Sequence, residues 1–173
     1  QCIPPVKFNL IQLFLEAYKP NLDFDKLTKI ISHDVTLVSG ILKLVNSSSE
    51  CGKIEINSIK QAVAYLGANK IKQYIAIISM STLSSESPPE LFNESLIRAK
   101  TMELIAQDPS FIQVSEMAFL TGILSNLDAI LSLPMQDVLK SFAFSKDIAA
   151  ALSNQEGQLY QLLELVKCFE NPE

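Results

Sequence analysis

The chain has 173 residues, enough for one well-buried core but close to the usual size of a single domain. Its 14 Lys and Arg against 19 Asp and Glu give a net charge of -5, which argues against nucleic-acid binding, because phosphate neutralisation needs a clustered basic surface. Lys60, Lys70 and Lys72 come nearest to one, and at helical spacing they read as a solvated face. Membrane insertion is not expected either. The longest apolar run, around Ile71 to Leu83, is interrupted by Gln73, Ser79 and Ser81 and falls short of the roughly 18 residues a spanning helix needs. Cys2, Cys51 and Cys168 are odd in number, scattered and free of a CxxC pair, a pattern of reduced thiols in a cytoplasm rather than a disulfide frame or zinc site. Gln1 in place of Met, followed by Ile3-Pro4-Pro5, suggests a piece of a longer polypeptide, with residues 1–5 as a linker remnant.

Helical periodicity dominates the chain from Val6 onward. Phe8, Ile11, Leu15 and Tyr18 make one stripe before Pro20 stops the first helix. Asp23 can cap a second helix carrying Leu27, Ile30 and Ile31, and Asp34 a third carrying Val35, Val38, Ile41, Leu42 and Val45. The third ends at Asn46-Ser47-Ser48-Ser49, residues that compete with helix for backbone hydrogen bonds, and a loop with Gly52 comes next. Asn57 or Ser58 caps a helix with Ile59, Ala62, Val63 and Leu66, Gly67 supplies its left-handed terminus, and Ile71, Tyr74, Ile75 and Ile78 resume the spacing at once. SSESPP, residues 84–89, is the clearest internal linker; it separates an N-terminal lobe, 6–83, from a C-terminal lobe, 90–173.

In the second lobe Phe92, Leu96, Ala99, Met102 and Ala106 form a helical face, with Glu94 and Arg98 spaced for a surface i,i+4 pair. Ser115 to Leu131 is apolar on nearly every side and reads as a central buried helix. Shorter helices start at Pro134 and Ser145, and Gly157 precedes a last one with Leu159, Leu162, Leu163 and Val166. No alternating pattern exceeds Lys53 to Asn57, so the expected fold is all-α: a single compact helical domain of about ten helices in two packed sub-bundles.

Chemistry is sparse. His33 is the sole histidine, and His33-Asp34 reads as the end of one helix and the cap of the next rather than a metal pair. Phosphate-cradling glycine motifs, HExxH and EF-hand loops are absent. Asp128, among Leu127, Ala129, Ile130 and Leu131, is expected to be paired, with Arg98 or Glu103 on the preceding helix as candidates.

The stretch from Asp34 to Gly67 resembles the signature of the HDOD domain, the HD-related output domain of bacterial signalling proteins. The matching positions are Asp34, Leu37, Leu42, Asn46, Ser47, Ile56, Ser58, Ile59, Ala62, Leu66 and Gly67. SLIRAKTMELIA, AFLTGILSNLDAILSLPM and the last helix resemble the C-terminal HDOD domain that follows an EAL domain, the fold of cyclic di-GMP phosphodiesterases; no EAL motif lies in this chain. Set beside catalytic HD domains, Ser95 and Ala99 register the helix that carries a histidine, which falls on Glu94. GILSNLD, residues 122–128, stands where such an enzyme reads GLLHDxG, so its His-Asp pair becomes Ser125 and Asn126. Ser and Asn are weak neutral ligands, and a hydrolytic site needs several strong donors and an activated water.

The resemblance therefore implies a non-catalytic, cytoplasmic regulatory module without cofactor or metal. Its partners are a protein or an adjacent EAL domain, with self-association as a further route, and Asp34, Asn46, Ser47, Ser58, Ala62, Leu66, Gly67, Arg98 and Asp128 serve structure. The alternative is a divergent HD-type phosphohydrolase in which Glu94, Glu103 and Asp128 bind metal in place of histidines. A cyclic di-GMP receptor has less support, because Arg98 is the sole arginine.

Overall fold

In the computed structural model, residues 3–19, 23–47, 55–153 and 156–170 are described, and every regular element among them is helical. They divide into two compact units, one spanning Pro4–Thr82 and the other Leu83 onward together with Ile3.

The first unit holds α1 (Pro5–Ala17), α2 (Phe24–Ser32), α3 (Val35–Ser47), α4 (Ile59–Leu66) and α5 (Ala68–Leu83). Three of these begin where the sequence supplies a side-chain acceptor. Asp23 accepts from Lys26 N at 2.8 Å, Asp34 from Thr36 N and Leu37 N at 2.8 and 3.1 Å, and Ser58 from Gln61 N at 3.2 Å. Gln61 answers by accepting from Asn57 N, so the start of α4 is closed from both sides. The bond from Lys26 N holds the Asp23 carboxyl below its ordinary range.

Between α4 and α5, Gly67 has φ 82° and ψ 161°, a positive-φ corner that only glycine adopts cheaply; its ψ is extended rather than left-handed helical. The buried faces are Ile11, Phe14 and Ala17 of α1, Leu27 and Ile31 of α2, Leu37, Ile41 and Val45 of α3, and Ile59, Ala62 and Val63 of α4. Each large aliphatic side chain taken fully out of water contributes about 1.5–3 kcal/mol. Two stripes are thus rotated from the expected ones: α1 buries Phe14 rather than Leu15, and Val35, placed in the core by periodicity, is 83% exposed in the first turn of α3. Pro20, Ser48, Ser49 and Gly52 lie outside the described residues, as do Cys2 and Cys51; Cys168 is exposed and unbridged.

The second unit holds α6 (Pro89–Ile105), a 3-10 segment (Pro109–Val114), α7 (Ser115–Ile123), α8 (Leu127–Leu131), α9 (Met135–Ser141), α10 (Lys146–Leu152) and α11 (Gln158–Glu170). α7 is buried almost all round, from Ala118 through Ile123, and packs along α6. That approach is set by Gly122, where an added Cβ would lie 2.6 Å from the backbone nitrogen of Ala99 and 3.0 Å from the carbonyl carbon of Arg98.

The expected single helix from Ser115 to Leu131 is two. A turn at residues 124–126 separates α7 from α8, closed by Ser125 N to Gly122 O at 3.2 Å and Leu127 N to Leu124 O at 3.0 Å. The Ser125 hydroxyl also donates to Gly122 O at 2.7 Å, the local competition that makes serine a poor helix interior. The expectation that no apolar run reaches membrane-spanning length also needs correction. Pro109–Leu131 is long and apolar enough by composition, but it is built from the 3-10 segment, α7, the turn and α8, and over half of its apolar window is buried in the fold.

Replacing Gly122 by Ala sets overpacking against rigid backbone, about 1–3 kcal/mol, against a gain of roughly 1 kcal/mol in helix propensity, so a net loss is expected. At Gly40 the added Cβ meets instead the Cδ1 end of the flexible Ile78 side chain at 2.8 Å. Urea unfolding should show Gly122→Ala clearly destabilised and Gly40→Ala within about 1 kcal/mol of the parent; equal losses would contradict the close α6–α7 approach.

Candidate functional site

The positions that register with HD ligands converge around one side chain. Arg98, on the face of α6 that also carries Ser95, Ala99 and Met102, is 6% exposed. Its Nη1 donates to Ser125 Oγ at 2.8 Å and to Asn126 Oδ1 at 3.2 Å, both in the turn after α7. Its other edge faces α11, where Nε lies 3.0 and 3.2 Å from the two Glu170 carboxylate oxygens and Nη2 lies 2.6 Å from Oε2. Four of the five guanidinium N–H groups are engaged.

Asn126 Nδ2 in turn donates to Leu91 O at 3.2 Å and lies 3.4 Å from Glu94 Oε2. Ser95, fully buried, donates its hydroxyl to Leu91 O at 2.8 Å. Arg98, Ser125 and Asn126 are therefore brought together by a cation of the chain itself, and Glu94 reaches the group only through Asn126. A divalent ion needs converging anionic or neutral donors, and here the Ser125 and Asn126 oxygens already accept from a guanidinium. The residues present do not fit a metal of the HD type.

The surface pair expected between Glu94 and Arg98 is not made, since Arg98 points inward and takes Glu170. Nor does either proposed partner serve Asp128: Arg98 is committed elsewhere, and Glu103 is 2.5 Å from Lys100 Nζ. The three carboxylates of the alternative site do not meet. Glu94 and Glu103 lie nine residues apart on α6, a rise of about 14 Å along one helix. No group of three or more His, Cys, Asp or Glu with metal-binding proximity occurs among the described residues.

Sequence reasoning missed Glu170, and the available signal was weak: a lone arginine on a stripe of buried residues demands a carboxylate, without saying which.

The signature residues of the first unit do local structural work. Asp34 caps α3, Ser58 caps α4, Gly67 turns the corner, Ala62 is fully buried, Leu66 is half-buried and Ser47 donates to Leu44 O. Asn46 does more. Its amide donates to Ile56 O and accepts from Ile56 N, both at 2.9 Å, pinning the approach to α4 onto the end of α3. Changing Asn46 to Asp removes the donor and sets a carboxylate against a carbonyl, so unfolding free energy should fall by about 1–3 kcal/mol.

A double-mutant cycle on Arg98→Met and Glu170→Gln measures the other tie. The pair is buried on one side and a quarter exposed on the other, so a coupling of about 2 kcal/mol is expected, below that of a fully buried pair. Additive losses within about 0.5 kcal/mol would show that Glu170 does not hold Arg98.

Comparison with known proteins identifies the family. The family model of the HDOD domain matches residues 3–157, most of the chain. The cyclic di-GMP phosphodiesterase CdgJ of Vibrio cholerae is 34% identical over 168 residues, covering 97% of this chain and 39% of that protein. The protein YuxH of Bacillus subtilis is 34% identical over 167 residues, covering 95% of this chain and 41% of its own. The chain thus spans about two fifths of the length of these curated relatives. No solved structure matches. On the signature residues, the all-helical architecture and the family match, the chain belongs to the HDOD domain family.

Proposed function

We propose that this HDOD domain is a non-catalytic regulatory module of bacterial signal transduction, acting in the cytoplasm as part of a cyclic di-GMP-related protein that also carries an EAL domain. The observation that carries the reading is the Arg98 guanidinium, seated 2.8 and 3.2 Å from the two residues that stand where HD enzymes place their His-Asp pair. A buried cation at that position repels a second one, and leaves no donor set to polarise a phosphoester or lower the pKa of a bound water.

The relationship to CdgJ supports the signalling context, and this chain aligns with only 39% of that protein. The phosphodiesterase activity in that relative's name is accordingly assigned here to sequence outside the matched part. The domain's own contribution is to bind a protein partner or the adjoining EAL domain and bias its activity, a task for which a helical frame with variable faces suffices.

The assay is direct. The chain, supplied with Mg2+ or Mn2+, should leave cyclic di-GMP and nucleoside phosphates intact, whereas hydrolysis abolished by Glu94→Ala or Asp128→Ala would overturn the reading. In the full-length protein, disrupting the core of this domain with Gly122→Ala should change the rate at which cyclic di-GMP is cleaved without creating or removing the catalytic groups.

A further inference from the structure

The guanidinium of Arg98 is held in a way that presents one edge to an anion. Ser125 Oγ and Asn126 Oδ1 both accept from Nη1, and each of those residues is itself fixed, Ser125 by donating to Gly122 O and Asn126 by donating to Leu91 O. Neither supplies a second cation or a second carboxylate to Arg98. The Nε and Nη2 donors then face Glu170 in the two-point geometry that suits any carboxylate or phosphate group.

The arginine and its positioning residues are deep in the unit; the carboxylate is not. α11 is anchored by Leu159, Leu162, Leu163 and Val166, and no described residue after Val166 is buried. Phe169, next to Glu170, is 71% exposed. Glu170 is thus carried on the last turn of α11 without an apolar anchor of its own, so its ion pair with Arg98 is what holds that turn, and the turn opens at the cost of that one coupling while the rest of the helix stays docked. The family match also ends at residue 157, before α11 begins, whereas Arg98, Ser125 and Asn126 lie within it.

We propose that the Nε/Nη2 edge of Arg98, oriented by Ser125 and Asn126, is an oxyanion-binding site which Glu170 fills from within the chain, and that an external phosphate or carboxylate group competes with Glu170 for it. When the last turn of α11 opens, Arg98 keeps its bonds to Ser125 and Asn126 but loses its counter-charge, and a single oxyanion restores it. The edge presents two donors, Nε and Nη2, and so takes one such group. Glu94 Oε2 lies 3.4 Å from Asn126 Nδ2, on the nitrogen of that amide rather than on the oxygen that accepts from Arg98. The inference rests on the same Arg98-filled site as the regulatory reading, yet a hydrolysis assay and a binding assay fail independently.

Inorganic phosphate and acetate are the probes, titrated at constant ionic strength while the Arg98 Nε–H resonance is followed by NMR. Glu170→Gln removes the internal competitor's charge, so it should bind phosphate at least about tenfold tighter than the parent chain, in proportion to how seldom the parent's last turn is open. The double variant Arg98→Met with Glu170→Gln, followed through the Ser125 and Asn126 amides, should not respond. Response to phosphate alone marks a dianion or phosphoester site, and response to both probes a site that also accepts a carboxylate side chain or terminus. Equal affinity in the parent and Glu170→Gln, or an undiminished response in the double variant, overturns the proposal. Should Glu170→Gln fail to fold, the parent decides: phosphate must still shift the Arg98 resonance saturably, and no shift up to the solubility limit overturns it.

Discussion

A guanidinium that has left water must be paired and fully hydrogen-bonded, because an uncompensated buried charge costs several kcal/mol. That requirement at Arg98 organises the second unit. It draws the turn after α7 and the last turn of α11 onto one face of α6, and it commits the oxygens of Ser125 and Asn126 to accepting from the arginine. The geometry works only because α6 and α7 approach closely, and they do so because residue 122 has no side chain. Glycine here, arginine on the facing helix and serine-asparagine at the helix end are a single device. Removing the cation would leave the Ser125, Asn126 and Glu170 oxygens without the donor they share.

The arrangement sets a different cation at the junction of these helices from the one a hydrolytic HD site would use. In a hydrolytic HD site the positive charge at the junction of these helices is a metal, held by the protein and open to water. In this chain the positive charge is covalently attached, delocalised over a planar group and hydrogen-bonded on both edges. It can neutralise a carboxylate and fix a turn, but it has no exchangeable coordination position. The polar centre of the unit is a tie between α6, the turn after α7 and the last turn of α11, and the proposed site lies on the edge shared with Glu170.

Legibility in the sequence depended on distance along the chain. The caps at Asp23, Asp34, Ser58 and Ser145 were legible because each bond closes within three residues, and the corner at Gly67 because positive φ singles out glycine. The break between α7 and α8 was not, since a buried turn and a buried helix have the same apolar composition; only Ser125 and Asn126 hinted at it. Val35 fits the stripe of α3 by period, but lies in a first turn that leaves it exposed. The partnership of Arg98 with Glu170 spans 72 residues, and no local rule reaches that far: the i,i+4 spacing to Glu94 pointed to the nearer and wrong carboxylate. The carboxylate alternative, by contrast, was open to refutation from helix geometry alone, because Glu94 and Glu103 share α6 at a spacing too long for one ion.

Whether the Arg98 guanidinium holds the place a metal would take is tested most directly by titrating the chain with Mn2+ and following paramagnetic broadening of the backbone amides. With the guanidinium in that place, broadening should be weak and scattered over surface carboxylates, with none that saturates at Ser125, Asn126 and Arg98. Stoichiometric broadening centred on those three residues, removed by Glu94→Gln, would contradict it.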